Sequence, residues 1–444
     1  MTNSKYFRVA IMIAAALAAS GCGIFKRGSG PKTPVLGQRI PVLTSEGDVQ
    51  VDLPTAAMPM SLPAATPNTD WAQSGGDADK SLGHLALGTA LSQAFMVQAG
   101  HGSSLTMRLA ASPIVANGRV YTIDTLGAVR SFDAKTGALY WASQTPNDKG
   151  NERSLYGGGI AYDNGRIYAT NGLGYVAALS EGSGGILWQV RPGGPLRGAP
   201  TIANGAVYVM SQDNQIYSLD ETNGKTNWSQ AASLEIAGVF GSASPAVGQG
   251  TVVAGFSSGE LNAYRYENGR QVWQDALQRT SITTSVSSLS DIDADPVIDN
   301  GQVIAIGQGG RMVALELTTG QRQWELNIAG IATPWVAGDW IFAVTDDAKL
   351  VCIYRQNGHI RWINQLPQFE HPKGKKGQID YVGPILAGDR LIIAGSNGTL
   401  INIDPVTGSF QSQTNAGAGV SIEPVVANST LYVYDDAGRL HAYR

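Results

Sequence analysis

Six of the nine tryptophans end a unit of fixed length, and this spacing constrains the fold more than anything else in the chain. Counting 28 residues back from each gives the pairs Pro113/Trp141, Pro200/Trp228, Pro245/Trp273, Pro296/Trp324 and Pro334/Trp362, with Ile160 standing in for proline ahead of Trp188. Pro384 and Ser412 keep the spacing after the tryptophan has gone, and Pro424 opens one more unit that reaches the end of the sequence at Arg444. A glycine stands four residues before each end point: Gly137, Gly184, Gly224, Gly269, Gly320, Gly358 and Gly408. A repeat period of roughly 40–50 residues belongs to propellers and related arrays, in which each unit buries its apolar faces only against its neighbours.

One unit shows what is repeated. Asn117-Gly118 sits between two β-prone runs, Gly127 breaks the next pair, and Asp133-Ala-Lys-Thr-Gly137 breaks the third. Two such signals mark tight hairpins and the third a short turn, so the unit predicts four short strands in a meander. The tryptophan falls on the last strand, where it is expected to pack between neighbouring blades. The unit opened by Pro424 holds three strands only, because Arg444 occupies the position of Asp133. A ring left so would expose a strand edge. The missing strand is expected from upstream of Pro113, in Leu91–Gln98, with Phe95 near the tryptophan's place. The predicted fold class is all-β, an eight-bladed propeller over residues 71–444 whose last blade is closed by an N-terminal strand.

Length variation is not scattered among these units. From each tryptophan-position residue to the next anchor the gaps are 19, 12, 17, 23, 10, 22 and 12 residues. All of it falls in the crossing from an outer strand to the next inner strand, on the face shared with the turn at Gly127 and its equivalents. Variable loops on a rigid scaffold carry binding, so that face is the expected working face.

Ahead of the repeats, Lys5 and Arg8 precede an apolar run, Val9–Ala19, and then Ser20-Gly21-Cys22. The run is too short for a spanning helix and reads as a signal peptide over residues 1–21. Its end resembles a bacterial lipobox, which implies lipidation of Cys22 and, with Gly23 following, an outer-membrane anchor. Residues 22–70 contain seven prolines and little periodicity and read as a tether. Cys352 is the other cysteine, in the apolar run Leu350–Tyr354, and reads as a buried strand thiol rather than a nucleophile.

Motifs that suggest chemistry do not find their context. Gly255-Phe-Ser-Ser-Gly259 matches a nucleophile elbow by letters, but a strand rather than a helix should follow it. Asp291-Ile-Asp-Ala-Asp295 starts like a calcium loop, yet Pro296 and Gln302 stand where glycine and glutamate are required. The five histidines lack metal-ligand spacing, and a net charge of −4 gives no footprint for nucleic acid. His371–Lys376 is a basic run inside a crossing and reads as a solvated loop or a contact for an acidic partner. No metal and no cofactor is expected.

The repeat resembles that of the PQQ-type β-propellers, with Ala134–Trp141 and Leu317–Trp324 its nearest matches. That family contains quinoprotein dehydrogenases and a non-enzymatic lipoprotein of the outer-membrane β-barrel assembly (BAM) machine. The dehydrogenases add adjacent cysteines over their cofactor, a pair this sequence lacks. The resemblance to the lipoprotein runs from the lipobox to Arg444 and is most specific at Leu289–Pro296, similar to a Leu-Ser-Asp-Val-Asp loop of that family. It implies a scaffold that binds the periplasmic POTRA domains of BamA, beside other BAM subunits, as a monomer within a hetero-complex, with unfolded outer-membrane proteins as further partners. Asp291 and Asp293 carry over as charged guides for the docking. A Leu-Arg-Gly motif of the family falls on Val239, Phe240 and Gly241, so Phe240 replaces an ionic contact with an apolar one. Leu196 and Arg197 have that motif one blade earlier and rank second. The alternatives are a PQQ-dependent dehydrogenase and a propeller that binds another envelope protein or a glycan.

Overall fold

The computed structural model describes residues 49–234, 243–277 and 290–444, and these form eight four-stranded antiparallel sheets. Seven sheets are consecutive meanders; the first runs through Ile114–Ala116, Arg119–Ile123, Ala128–Asp133 and Leu139–Gln144. The inner strands, such as Ile114–Ala116 and Val425–Ala427, are fully buried, whereas the outer Phe410–Asn415 is exposed throughout. Each hairpin turn needs positive φ: Asn117 and Gly118 sit at +52° and +71°. Those values meet a type I′ turn, which suits the twist of the flanking strands.

The eighth sheet has the order expected from closure, with Val425–Ala427, Thr430–Tyr434 and Arg439–Tyr443 completed by Gln93–Gln98. Phe95 faces Ala442 across the pair, and Ser92 and Arg444 exchange backbone hydrogen bonds of 2.7 and 2.9 Å beyond it. Phe95 takes the tryptophan's role. A Cβ built on Gly184 would lie 2.5 Å from the Trp141 ring, and one on Gly224, Gly269, Gly320, Gly358 or Gly408 would meet Trp188, Trp228, Trp273, Trp324 or Trp362. On Gly137 it would lie 2.7 Å from Phe95. The repeat's glycine is therefore a contact surface as well as a left-handed turn residue: the indole of one blade lies flat on the turn of the next. Each indole Nε1 also donates to a carbonyl of that next blade, as Trp141 does to Glu181 at 2.8 Å and Trp273 to Leu317 at 2.7 Å.

The chain ahead of the closing strand does more than the sequence predicts. Residues 49–70, read there as tether, lie on the disc: Val51 bridges Ile360, and a short helix (α1, Leu53–Ala57) is capped by Asp52 and held by Arg361, which donates to the carbonyls of Thr55 and Met58. From Asn68 to Gly88 the chain then visits all eight blades. Trp71 exchanges hydrogen bonds with Val115, Tyr162 donates to Ala72, Gln73 pairs with Ile202, and Val247 and Ile298 donate to Ala78 and Asp79. Trp335 donates to Gly83, Leu85 pairs with blade seven at Leu386 and Gly388, and Asn68 holds Val426 and Asn428. All these contacts fall at the ends of inner strands away from the crossings. This belt closes one mouth of the ring and leaves the crossing face open.

One crossing carries structure of its own, a hairpin of Phe369–His371 and Lys376–Gln378 that exposes Lys373, Lys375 and Lys376. Cys352 is completely buried and its thiol is pushed well above the usual range by burial, as a strand packing residue should be.

Candidate functional site

The crossing face is built around a loop that the sequence singled out, Ser290–Asp295. It is pinned between blades four and five. Ile292 fills the space above Gly255, whose Cβ would lie 2.4 Å from Ile292 Cγ2, and Gln308 donates to the Asp291 carbonyl at 2.9 Å. This accounts for the elbow-like Gly255–Gly259: Gly255 admits Ile292, Ser257 donates to Asn214 at 2.6 Å, and the strand Glu260–Arg265 follows. No helix is there to support a nucleophile.

The loop's carboxylates point inward. Asp291 is completely buried, the Asp293 side chain is 8% exposed, and both face Arg197, 3.7 and 3.4 Å from its Nη2. Arg197 comes from the crossing ahead of blade three, where Leu196 bridges Ser211 and is itself buried. The structure thus joins the first-ranked acidic loop to the second-ranked Leu196-Arg197 pair in one ionic cluster. Asp291 and Asp293, expected as charged guides for docking, are buried against Arg197: a carboxylate this buried keeps its charge only with a partner, and Arg197 is that partner. Burial pushes the Asp293 carboxyl up to about 7, against the pull of Arg197, with Asp291 and Asp346 adding repulsion. Asp346 is raised to about 6 by its own burial, with Asp347 and Asp380 adding repulsion. Val239, Phe240 and Gly241, like Cys22, lie outside the described residues.

Inside the rim, an axial funnel of about 300 Å³ opens on this face and is lined from the crossing-side ends of the blades. Its floor is the belt. Lys80, fully enclosed, donates to the Ser74 carbonyl at 2.6 Å and to Thr201 Oγ1 at 3.3 Å, and lies 4.0 Å from Asp295. Asp295 also accepts from Ser74 Oγ and from the Ser244 amide, each at 2.6 Å. Burial raises the Asp295 carboxyl and lowers the Lys80 ammonium, while each opposes the shift of the other. Sequence reading missed this pair because Lys80 precedes the repeats and nothing local marks it. Among the described residues no three His, Cys, Asp or Glu side chains converge as a metal site.

A ring of eight four-stranded blades, six of them stapled by a tryptophan, with a belted floor and irregular loops on one face defines a PQQ-like β-propeller. The family described as outer membrane protein assembly factor BamB matches residues 126–364. The chain belongs to that family. It is 25% identical over 336 residues to outer membrane protein assembly factor BamB of Moranella endobia, which covers 74% of this chain and 84% of the relative. Its fold is similar to the crystal structure of BamB from Moraxella catarrhalis, with a TM-score of 0.66, 18% identity and coverage of 80% of this chain and all of that one. A europium-containing methanol dehydrogenase is similar at a TM-score of 0.67 and 12% identity, covering 84% of this chain and 98% of that one. Likenesses at these identities concern the fold.

Proposed function

We propose that this protein is a non-enzymatic scaffold of the BAM complex, anchored to the outer membrane through lipidated Cys22 and binding the POTRA domains of BamA with its crossing face. The observation that carries this reading is the match of more than half the chain to the BamB family. Two structural features support the choice of face. The belt covers the opposite mouth, and the crossings display Leu105, Leu234 and Ile331 as exposed apolar side chains at 103%, 75% and 41%. Apolar anchors of that kind carry most of the energy of a small interface. Shared anchoring at one membrane raises the effective concentration of the two partners, so a modest patch suffices.

Asp291, Asp293 and Arg197 then act by holding the loop's shape rather than as free charges, and Phe240 supplies a further apolar contact. The test is co-purification of BamA with the detergent-extracted full chain. Wild type should retain BamA, and Phe240→Ala and Arg197→Ala should each weaken that retention. Full retention by both variants would remove these site assignments. Dye reduction by the purified protein on addition of PQQ and calcium would overturn the scaffold reading itself.

A further inference from the structure

The axial funnel holds an acid that no donor in the described residues meets directly. Three of the acids near it are accounted for: Asp295 by Lys80, Ser74 and Ser244, and Asp291 and Asp293 by Arg197. Glu423, at the start of the last blade, lines the same cavity half-buried; its carboxylate receives no hydrogen bond and forms no direct ion pair among the described residues, and Lys80 acts on it only through its charge at a distance. Ser244 lines it too; it is 1% exposed, and its hydroxyl has no hydrogen-bond partner. The buried Ser244 hydroxyl without a partner and the half-buried Glu423 carboxylate without a donor together suit a ligand that supplies donors. Lys80 is already engaged with the Ser74 carbonyl, Thr201 Oγ1 and Asp295. Arg108, at the lip, is exposed and forms no ion pair among the described residues. Between the lip and these acceptors the wall is aliphatic, with Leu109, Ile114, Ile160 and Ile422.

We propose that the funnel binds an organic cation, an ammonium or guanidinium carried on an aliphatic stem, with the Glu423 carboxylate as its ion-pair partner and the Ser244 hydroxyl as a second acceptor. The cavity, about 300 Å³, is at the lower end of the range for small-ligand sites and matches one extended chain of a few carbons with a polar head. The stem lies on the isoleucines and the head reaches the floor. This assignment is independent of which protein docks on the rim.

Binding is coupled to protons. Burial, with the Asp295 charge adding to it and Lys80 opposing it, raises the Glu423 carboxyl to about 8. Besides Asp295, the other ionisable groups lining the cavity are Asp293, Asp380, Tyr381 and Arg108. Below that value the empty site is largely protonated, so a cation must displace the proton, and affinity should rise about tenfold per pH unit up to about 8 and then level off.

The test uses the purified full chain and three probes, n-pentylamine, n-pentanol and Nα-acetyl-lysine N-methylamide, followed by calorimetry in two buffers of different ionisation enthalpy. Pentylamine should bind at least tenfold more tightly than pentanol and release close to one proton at pH 7. Glu423→Gln should abolish both the preference and the release. Ile331→Trp, which narrows the mouth without touching a buried charge, should weaken pentylamine at least fivefold and decides the matter if the first variant does not fold. The capped lysine distinguishes sources: binding equal to that of pentylamine assigns the site to a basic side chain of a docked polypeptide, and binding of pentylamine alone assigns it to a free amine. Equal binding of amine and alcohol, or amine binding unchanged in the folded variants, would overturn the proposal.

Discussion

Arg197→Ala is the substitution whose outcome the structure fixes most closely. Arg197 stands 3.7 and 3.4 Å from two carboxylates in a rim where the side chains of all three residues are less than a tenth exposed. Removing one member of a buried ion pair costs roughly 3–5 kcal/mol, because the remaining charge is left in a poor medium. Protonation limits that cost. The Asp293 carboxyl titrates at about 7 with Arg197 present, far above an ordinary aspartate. An acid raised on folding is no burden below its unfolded value, and its contribution to stability falls as pH rises from about 4 to its folded value. In wild type that fall should level off near pH 7. Without Arg197 the folded value moves higher, and the fall continues into the alkaline range. At pH 6 the variant should lose about 1 kcal/mol, and at pH 9 about 3 kcal/mol, near the lower end of the range for a broken pair. At roughly 2 °C per kcal/mol for a domain of this size, thermal melts followed by circular dichroism should show a gap of about 2 °C widening to about 6 °C. A triple variant, Arg197→Met with Asp291→Asn and Asp293→Asn, should recover most of the loss and show a flat profile. A gap of equal size at both pH values would refute the reasoning, as would no gap at either.

Three further outcomes follow from the ring itself. Phe95→Ala removes the aromatic that lies on Gly137 and should cost about 2 kcal/mol, with hydrogen exchange speeding up first in Gln93–Gln98 and Arg439–Tyr443. Gly184→Ala places a methyl at φ +70° and 2.5 Å from the Trp141 ring, so a loss of about 2–4 kcal/mol in chemical denaturation is expected, whereas Gly118→Ala, with open space around it, should lose only about 1 kcal/mol. Lys80→Met leaves Asp295 and Glu423 without the cation on the axis and should destabilise by about 3 kcal/mol at pH 9 and by less at pH 6, where both acids hold protons more readily.

The ring was legible because a propeller's structure is written at short range. Each blade's turns, strands and staple fall within one unit, so Asn117-Gly118, Gly137 and Trp141 already define it. The origin of the closing strand was legible for the same reason: the unit opened by Pro424 shows three strands, Gln93–Gln98 supplies the fourth, and Phe95 makes the same aromatic-on-glycine contact as the tryptophans. The belt was not. Residues 68–88 have no periodicity, because their partners are groups on inner strands and their turns up to 359 residues away, such as the Asn428 side-chain amide that donates to the Thr69 carbonyl. Proline in the stretch before it looked like a tether, although Asp52 and Arg361 hold part of it on the disc. The rim was half legible. Asp291 and Asp293 stood out as a motif, but their neutralisation by Arg197 joins crossings of blades three and five. Nothing within either loop marks that pairing. The Glu423 site had no signature at all, since a glutamate before a proline reads as an ordinary loop residue.

The claim that the crossing face is where the protein meets its partner is tested most directly by site-specific photo-crosslinking in cells. A photoreactive residue at Leu105, Leu234 or Ile331 should yield adducts with BamA, and the same residue at Asn204 or Asn300, exposed turns on the belted side, should not. Adducts with BamA from Asn204 or Asn300 and none from the three crossing positions would contradict it.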